Sequence, residues 1–72
     1  MSISELKVKL FEMEIPHYYY SIVDGEEDQR VCLRENGGKW LVYYSEDGER
    51  LDLAEHGSEA AACDDLFGRV TE

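Results

Sequence analysis

Basic residues are scarce in this chain, and so are cysteines, prolines and long apolar runs. Seven Lys and Arg stand against 17 Asp and Glu, a formal net charge of −10. A field of that sign repels nucleic acid and anionic membrane and steers basic partners inward. Two cysteines, Cys32 and Cys63, are too few for the disulfide framework that a small secreted domain uses. The apolar runs fall far short of the roughly 20 residues that a membrane span needs. Met1-Ser2-Ile3-Ser4-Glu5 has neither the basic nor the apolar region of a signal peptide. These absences predict a cytoplasmic protein. Pro16 is the only proline, and there are no repeats or low-complexity tracts, so a single domain over residues 1–72 is expected.

What is present is enough to fold. Hydrophobic residues make up 43% of the chain, too many for a disordered segment. The expected stability is nevertheless small, about 4–11 kcal/mol at this length.

Helical signals sit at both ends. Ser2 and Glu5 have the spacing of a capping box, and Ile3, Leu6, Leu10 and Met13 recur as one apolar stripe. Pro16 disfavours helical geometry in the residue before it, so the spacing predicts a helix over about residues 3–14. At the other end Ser58 is a good N-cap and Glu59 suits the positive end of the helix dipole. Ala62, Cys63, Leu66, Phe67 and Val70 supply the buried stripe of that second helix.

Four strands are expected between the helices. The run from Tyr18 to Val23 is aromatic and β-branched, and Asp24-Gly25 opens an acidic loop through Asp28. Arg30–Arg34 alternates polar and apolar, Gly37-Gly38 turns the chain, and Lys39–Ser45 is rich in aromatics. Asp47-Gly48 is a second tight turn, and Arg50–Leu53 follows as the last strand. If both turns are two-residue loops, Leu33 pairs with Val42 and Val31 with Tyr44, while Tyr44 pairs with Leu51 and Val42 with Leu53. Side chains alternate with period 2, so one face collects Val31, Leu33, Trp40, Val42, Tyr44, Leu51 and Leu53. The expected fold class is α+β. It is a two-layer αββββα arrangement, a four-stranded antiparallel meander with both helices on one face. The other face, carrying Tyr19, Arg30, Cys32, Arg34, Leu41, Tyr43, Arg50, Asp52 and Ala54, has no segment left to cover it.

Alternate loops of a meander fall at one end of the sheet. Asp24, Glu26, Glu27 and Asp28 would therefore join Glu46, Asp47 and Glu49 in an acidic pole, a docking surface with fast, salt-sensitive association. Beside it, Tyr19, Tyr43, Arg30 and Arg50 are residue types enriched in interface hot spots. The expected partner-binding set is thus Glu26, Glu27, Asp28, Glu46, Asp47, Glu49, Tyr19, Tyr43, Arg30 and Arg50. Solvated turns and ordinary cross-strand pairs would use the same residue types.

No cofactor or metal is expected. Asp24, Glu26 and Asp28 begin like a calcium loop but lack the glycine at loop position six and run into a strand. His17 and His56, both expected at the pole opposite the acids, have no nearby Cys with which to bind zinc. Cys32 should face away from the second helix and Cys63 toward the core, in separate layers. Nothing assembles a base, a nucleophile and an oxyanion hole, so an enzyme is not expected.

The segment Lys39-Trp40-Leu41-Val42-Tyr43-Tyr44-Ser45-Glu46-Asp47-Gly48, followed by Asp52-Leu53, then Ser58-Glu59 and Ala62-Cys63, resembles a family of short bacterial proteins. Their running pattern is K-W-x-V-Y-Y-S-E-x-G, then D-L, then S-E-x-x-A-C. These are immunity proteins of polymorphic toxin systems. The resemblance implies a small cytosolic protein that neutralises a cognate toxin, and it supplies no catalytic residues. Joined to the charge, it implies an inhibitor that plugs a basic toxin domain, such as a nuclease whose active site holds phosphate. The competing expectation is a homodimeric regulatory or scaffold subunit joined through the uncovered sheet face.

Overall fold

Hydrogen bonds between near neighbours start both helices. In the computed structural model, which describes residues 1–22 and 28–72, helix α1 runs Ile3–Glu12 behind a complete capping box. The Ser2 hydroxyl accepts from the Glu5 N–H at 3.1 Å, and the Glu5 carboxylate accepts from the Ser2 N–H at 3.3 Å. Helix α2 runs Glu59–Thr71, and the Ser58 hydroxyl accepts from the Ala61 N–H at 3.2 Å.

α1 ends before Pro16 has any say. Met13 is its C-cap and Glu14 takes a left-handed φ of 56°. The Glu14 N–H donates to the Phe11 carbonyl and the Ile15 N–H to the Leu10 carbonyl, each at 3.0 Å. This pair of bonds is a Schellman closure, in which glycine usually holds the left-handed position. Ile15 packs back against the core cluster that contains Leu10. Met13, expected in the buried stripe, is 52% exposed because the chain has already left the helix.

A short 3-10 turn, His17–Tyr19, leads into four strands: β1 Tyr20–Ile22, β2 Arg30–Asn36, β3 Lys39–Glu46 and β4 Glu49–His56. The fold is α+β with a mixed sheet in the order β1-β2-β3-β4. Both two-residue turns form. Gly37 and Gly38 have φ of 58° and 87°, and Asp47 and Gly48 have φ of 50° and 78°. Positive φ at both positions is the hairpin turn whose twist matches the strands. The β2–β3 register follows: Leu33 opposes Val42 and Val31 opposes Tyr44.

Two parts of the expected meander are corrected. First, β1 pairs with β2 in parallel, Tyr20 with Val31 through Ile22 with Leu33. A hairpin needs its two ends side by side, whereas here Tyr20, not Ile22, lies at the end where β2 begins. The 3-10 turn also takes Tyr18 and Tyr19 out of the strand. Second, β4 carries a bulge. Tyr44 opposes Leu51, but Val42 opposes Ala54, not Leu53. Asp52, with φ 53°, is the extra residue, and the one-residue shift moves Leu53 to the face opposite Ala54. Leu53 is accordingly 50% exposed, and Leu51, on the edge strand, 38%.

The main core joins Leu6 and Leu10 of α1, Ile22, Leu33 and Val42 of the sheet, and Ala62, Cys63 and Leu66 of α2. α2 lies against β2, β3 and β4, and α1 lies against α2. Burial pushes the Cys63 thiol above its usual range, reinforced by the negative charge of Glu59. A second cluster corrects the expectation of an uncovered sheet face: Cys32, Leu41 and Tyr43 are 0%, 6% and 0% exposed. Neither cysteine is in a disulfide, and one lies in each cluster.

Candidate protein-binding surface

The Asp47-Gly48 turn makes a tip at one end of the sheet, and the start of β2 is bound to it. The Gly48 N–H donates to the Asp28 carboxylate at 3.3 Å, and the Gln29 N–H donates to the Ser45 carbonyl. Asp28 therefore shares the tip with Glu46, Asp47 and Glu49, and all four are exposed. The tip gathers like charges where water screens them and a partner can reach them. Asp24, Glu26 and Glu27 lie outside the described residues.

Just inside the tip, Arg30, Ser45 and Arg50 form a cross-strand row. The Arg50 guanidinium lies over the Tyr43 ring, 4.7 Å from its centroid, a cation–π contact. Arg50 is exposed and Arg30 half-buried, so the two cations border the acids as expected. Tyr43 does not join them at the surface. It stands on the expected face, but its ring is buried in the second cluster, which removes it from any contact surface.

Tyr19 is also displaced from its expected face. The 3-10 turn carries it to a groove of about 330 Å³ shared with Val31, Tyr44 and Val70. It is 48% exposed, and its ring meets that of Tyr18 edge-on at 5.3 Å. The tip and this tyrosine pair lie at the same end of the sheet, because β1 and β2 start together there.

The parallel β1 likewise separates the histidines. His56 opposes Trp40 at the Gly37-Gly38 end, while His17 leads into Tyr20 at the acidic end. His56 is tied to α2. Its Nε2 lies 2.7 Å from Asp65 Oδ2, and the Arg69 Nε donates to Asp65 Oδ1 at 2.8 Å. Burial alone would raise the Asp65 pKa, but the hydrogen bonds from Arg69 and His56 outweigh it and hold the carboxyl below its usual range. This three-membered link fastens the end of β4 to α2 and is structural. Among the described residues no group of three or more His, Cys, Asp and Glu side chains is placed to hold a metal. No helix among them is long and apolar enough to cross a membrane.

No family model, no curated protein and no solved structure matches this chain.

Sequence reading missed the outer side of α1. Val8 and Phe11 are 57% and 83% exposed, on the side of the helix away from Leu6 and Leu10. Their positions outside the Ile3-Leu6-Leu10 stripe were the available signal.

Proposed function

We propose that this chain is an immunity-type binding protein that neutralises a basic cognate toxin domain by charge-complementary docking in the cytoplasm. The observation that supports this reading best is the acidic tip: Asp28 bonded to the Gly48 N–H places four exposed carboxylates together, in a chain of net charge −10. The immunity-protein pattern along β3 and β4 supports the same reading. A nuclease is a suitable target, since a site that holds phosphate is basic and an acidic tip can occupy the place of the substrate. Asp28, Glu46, Asp47 and Glu49 carry the charge, with Tyr19, Arg30 and Arg50 at the border. No catalytic role is proposed. The competing homodimer through the broad sheet face needs Leu41 and Tyr43 uncovered, and both are buried.

The test is association with a basic toxin domain, sought first in the adjacent reading frame, measured at several ionic strengths. Wild-type association should slow steeply as salt rises. Changing Asp28, Glu46, Asp47 and Glu49 to Asn or Ser should slow it by about tenfold or more at low salt and flatten the salt dependence. An unchanged affinity and salt slope would show that the tip is not the interface.

A further inference from the structure

β4 ends the sheet, and among the described residues no strand pairs with its outer edge. Long exposed edges invite a further strand. This one spans Glu49–His56 and shows Leu51 and Leu53 to solvent.

We infer that a second copy of this chain pairs antiparallel along β4, with the two-fold axis at the Asp52-Leu53 bulge. The argument is one of register. A two-fold axis perpendicular to a sheet keeps every side chain on its own face, so opposed residues must share a face. In a regular strand, residues 51 and 54 point to opposite faces. The bulge cancels that difference, because Leu51 opposes Tyr44 while Ala54 opposes Val42 on the same side. Centred on the bulge, the pairing sets Leu51 against Ala54 of the copy, Arg50 against its Glu55, and Glu49 against its His56. Each contact occurs twice by symmetry. Arg50 and Glu55 do share a face, since Arg50 lies over Tyr43 and Glu55 pairs with Lys39 at 3.5 Å. His56 points to α2, the side to which alternation also assigns Glu49.

Neighbouring registers lose this match. Moved one step toward His56, the axis sets Leu51 against His56 and Leu53 against Glu55. One step further, Glu55 meets its own copy. Moved one step toward the tip, it sets Arg50 against Leu53 and Glu49 against Ala54. Opposite charges directly across an antiparallel pair are favourable and like charges are not, so the register with two Arg50–Glu55 pairs is selected; the two exposed Asp52 residues beside the axis are its one like-charged approach. The charges that ordinarily guard an edge are here self-complementary. The arrangement carries the two acidic tips to opposite ends of a continuous eight-stranded sheet and engages only Glu49 of each, leaving Asp28, Glu46 and Asp47 open to other partners.

The test is sedimentation equilibrium of the full chain over a concentration series. Wild type should show a monomer–dimer equilibrium, and Arg50→Glu and Glu55→Arg should each raise the dimer Kd by about tenfold or more, since each turns two attractive pairs into two repulsive ones. An equimolar mixture of the two variants should form a heterodimer, because every exchanged charge then meets its opposite. If either variant fails to fold by circular dichroism, Leu51→Cys with Ala54→Cys replaces it, and oxidation should link residue 51 of one copy to residue 54 of the other. A wild type that stays monomeric at millimolar concentration overturns the inference. So does a mixture that associates no better than its components, or a Cys pair that forms no cross-link.

Discussion

Replacing Tyr43 by Ala asks whether the far face of the sheet is a core or a contact surface. The ring is fully buried with Cys32 and Leu41, and Arg50 covers it at 4.7 Å. Truncating a large buried aromatic to Ala costs about 3–5 kcal/mol through lost transfer energy and the cavity left behind. A chain of this length is stable by about 4–11 kcal/mol in total, so the variant should lose from about a quarter to all of its stability. In urea, with a slope of about 1 kcal/mol per molar for so small a protein, the midpoint should fall by about 3–5 M. Arg50→Ala removes the cation–π contact and, from an exposed site, should cost at least about 0.5–1 kcal/mol. Tyr18→Ala is the control. Tyr18 is 56% exposed, and its loss should stay within about 0.5 kcal/mol. Equilibrium unfolding followed by tryptophan fluorescence reads all three, since Trp40 is partly buried against the main core. If Tyr43→Ala melts with Tyr18→Ala, the ring is at the surface, and the placing of this face in the interior is wrong.

Asp65→Asn should destabilise by about 1–2 kcal/mol at neutral pH, because it weakens the carboxylate's hydrogen bonds with Arg69 and His56 at a site only 20% exposed. The Asp65 pKa is lowered in the folded chain, so the carboxylate's contribution is complete above the ordinary Asp range and lost as pH falls through the folded value. The gap between wild type and variant should therefore close below about pH 4, and a gap that persists in acid would refute the assignment. Glu14→Gly should raise the melting point, since Glu14 holds a φ of 56° with a Cβ that disfavours it. The gain is about 1 kcal/mol once the extra freedom of unfolded Gly is subtracted, and a loss of stability would show that the Schellman closure is not what ends α1.

The same local logic separates what was legible in the residues from what was not. For the candidate surface, Glu46, Asp47 and Glu49 read correctly as a tip because a two-residue Asp-Gly turn leaves no other place for its neighbours. Asp28 joined them for a reason the residues did not show. The expected route was a hairpin from β1, and the actual one is a parallel β1 with the start of β2 bonded to Gly48. Tyr43 was misplaced because residue type alone does not reveal whether a ring on a sheet is covered, and Tyr19 because the 3-10 turn takes it out of the strand.

By itself, the sequence determined the two helix caps, both glycine-containing turns, the β2–β3 register and the acidic balance. Each of these rests on hydrogen bonds or φ preferences among residues a few positions apart, or on a simple sum of charges. Tertiary structure alone decided the direction of β1, the bulge that turns Leu53 outward, and the burial of Cys32, Leu41 and Tyr43. Those depend on which distant segments share the interior, where the gain from covering apolar area outweighs any local preference.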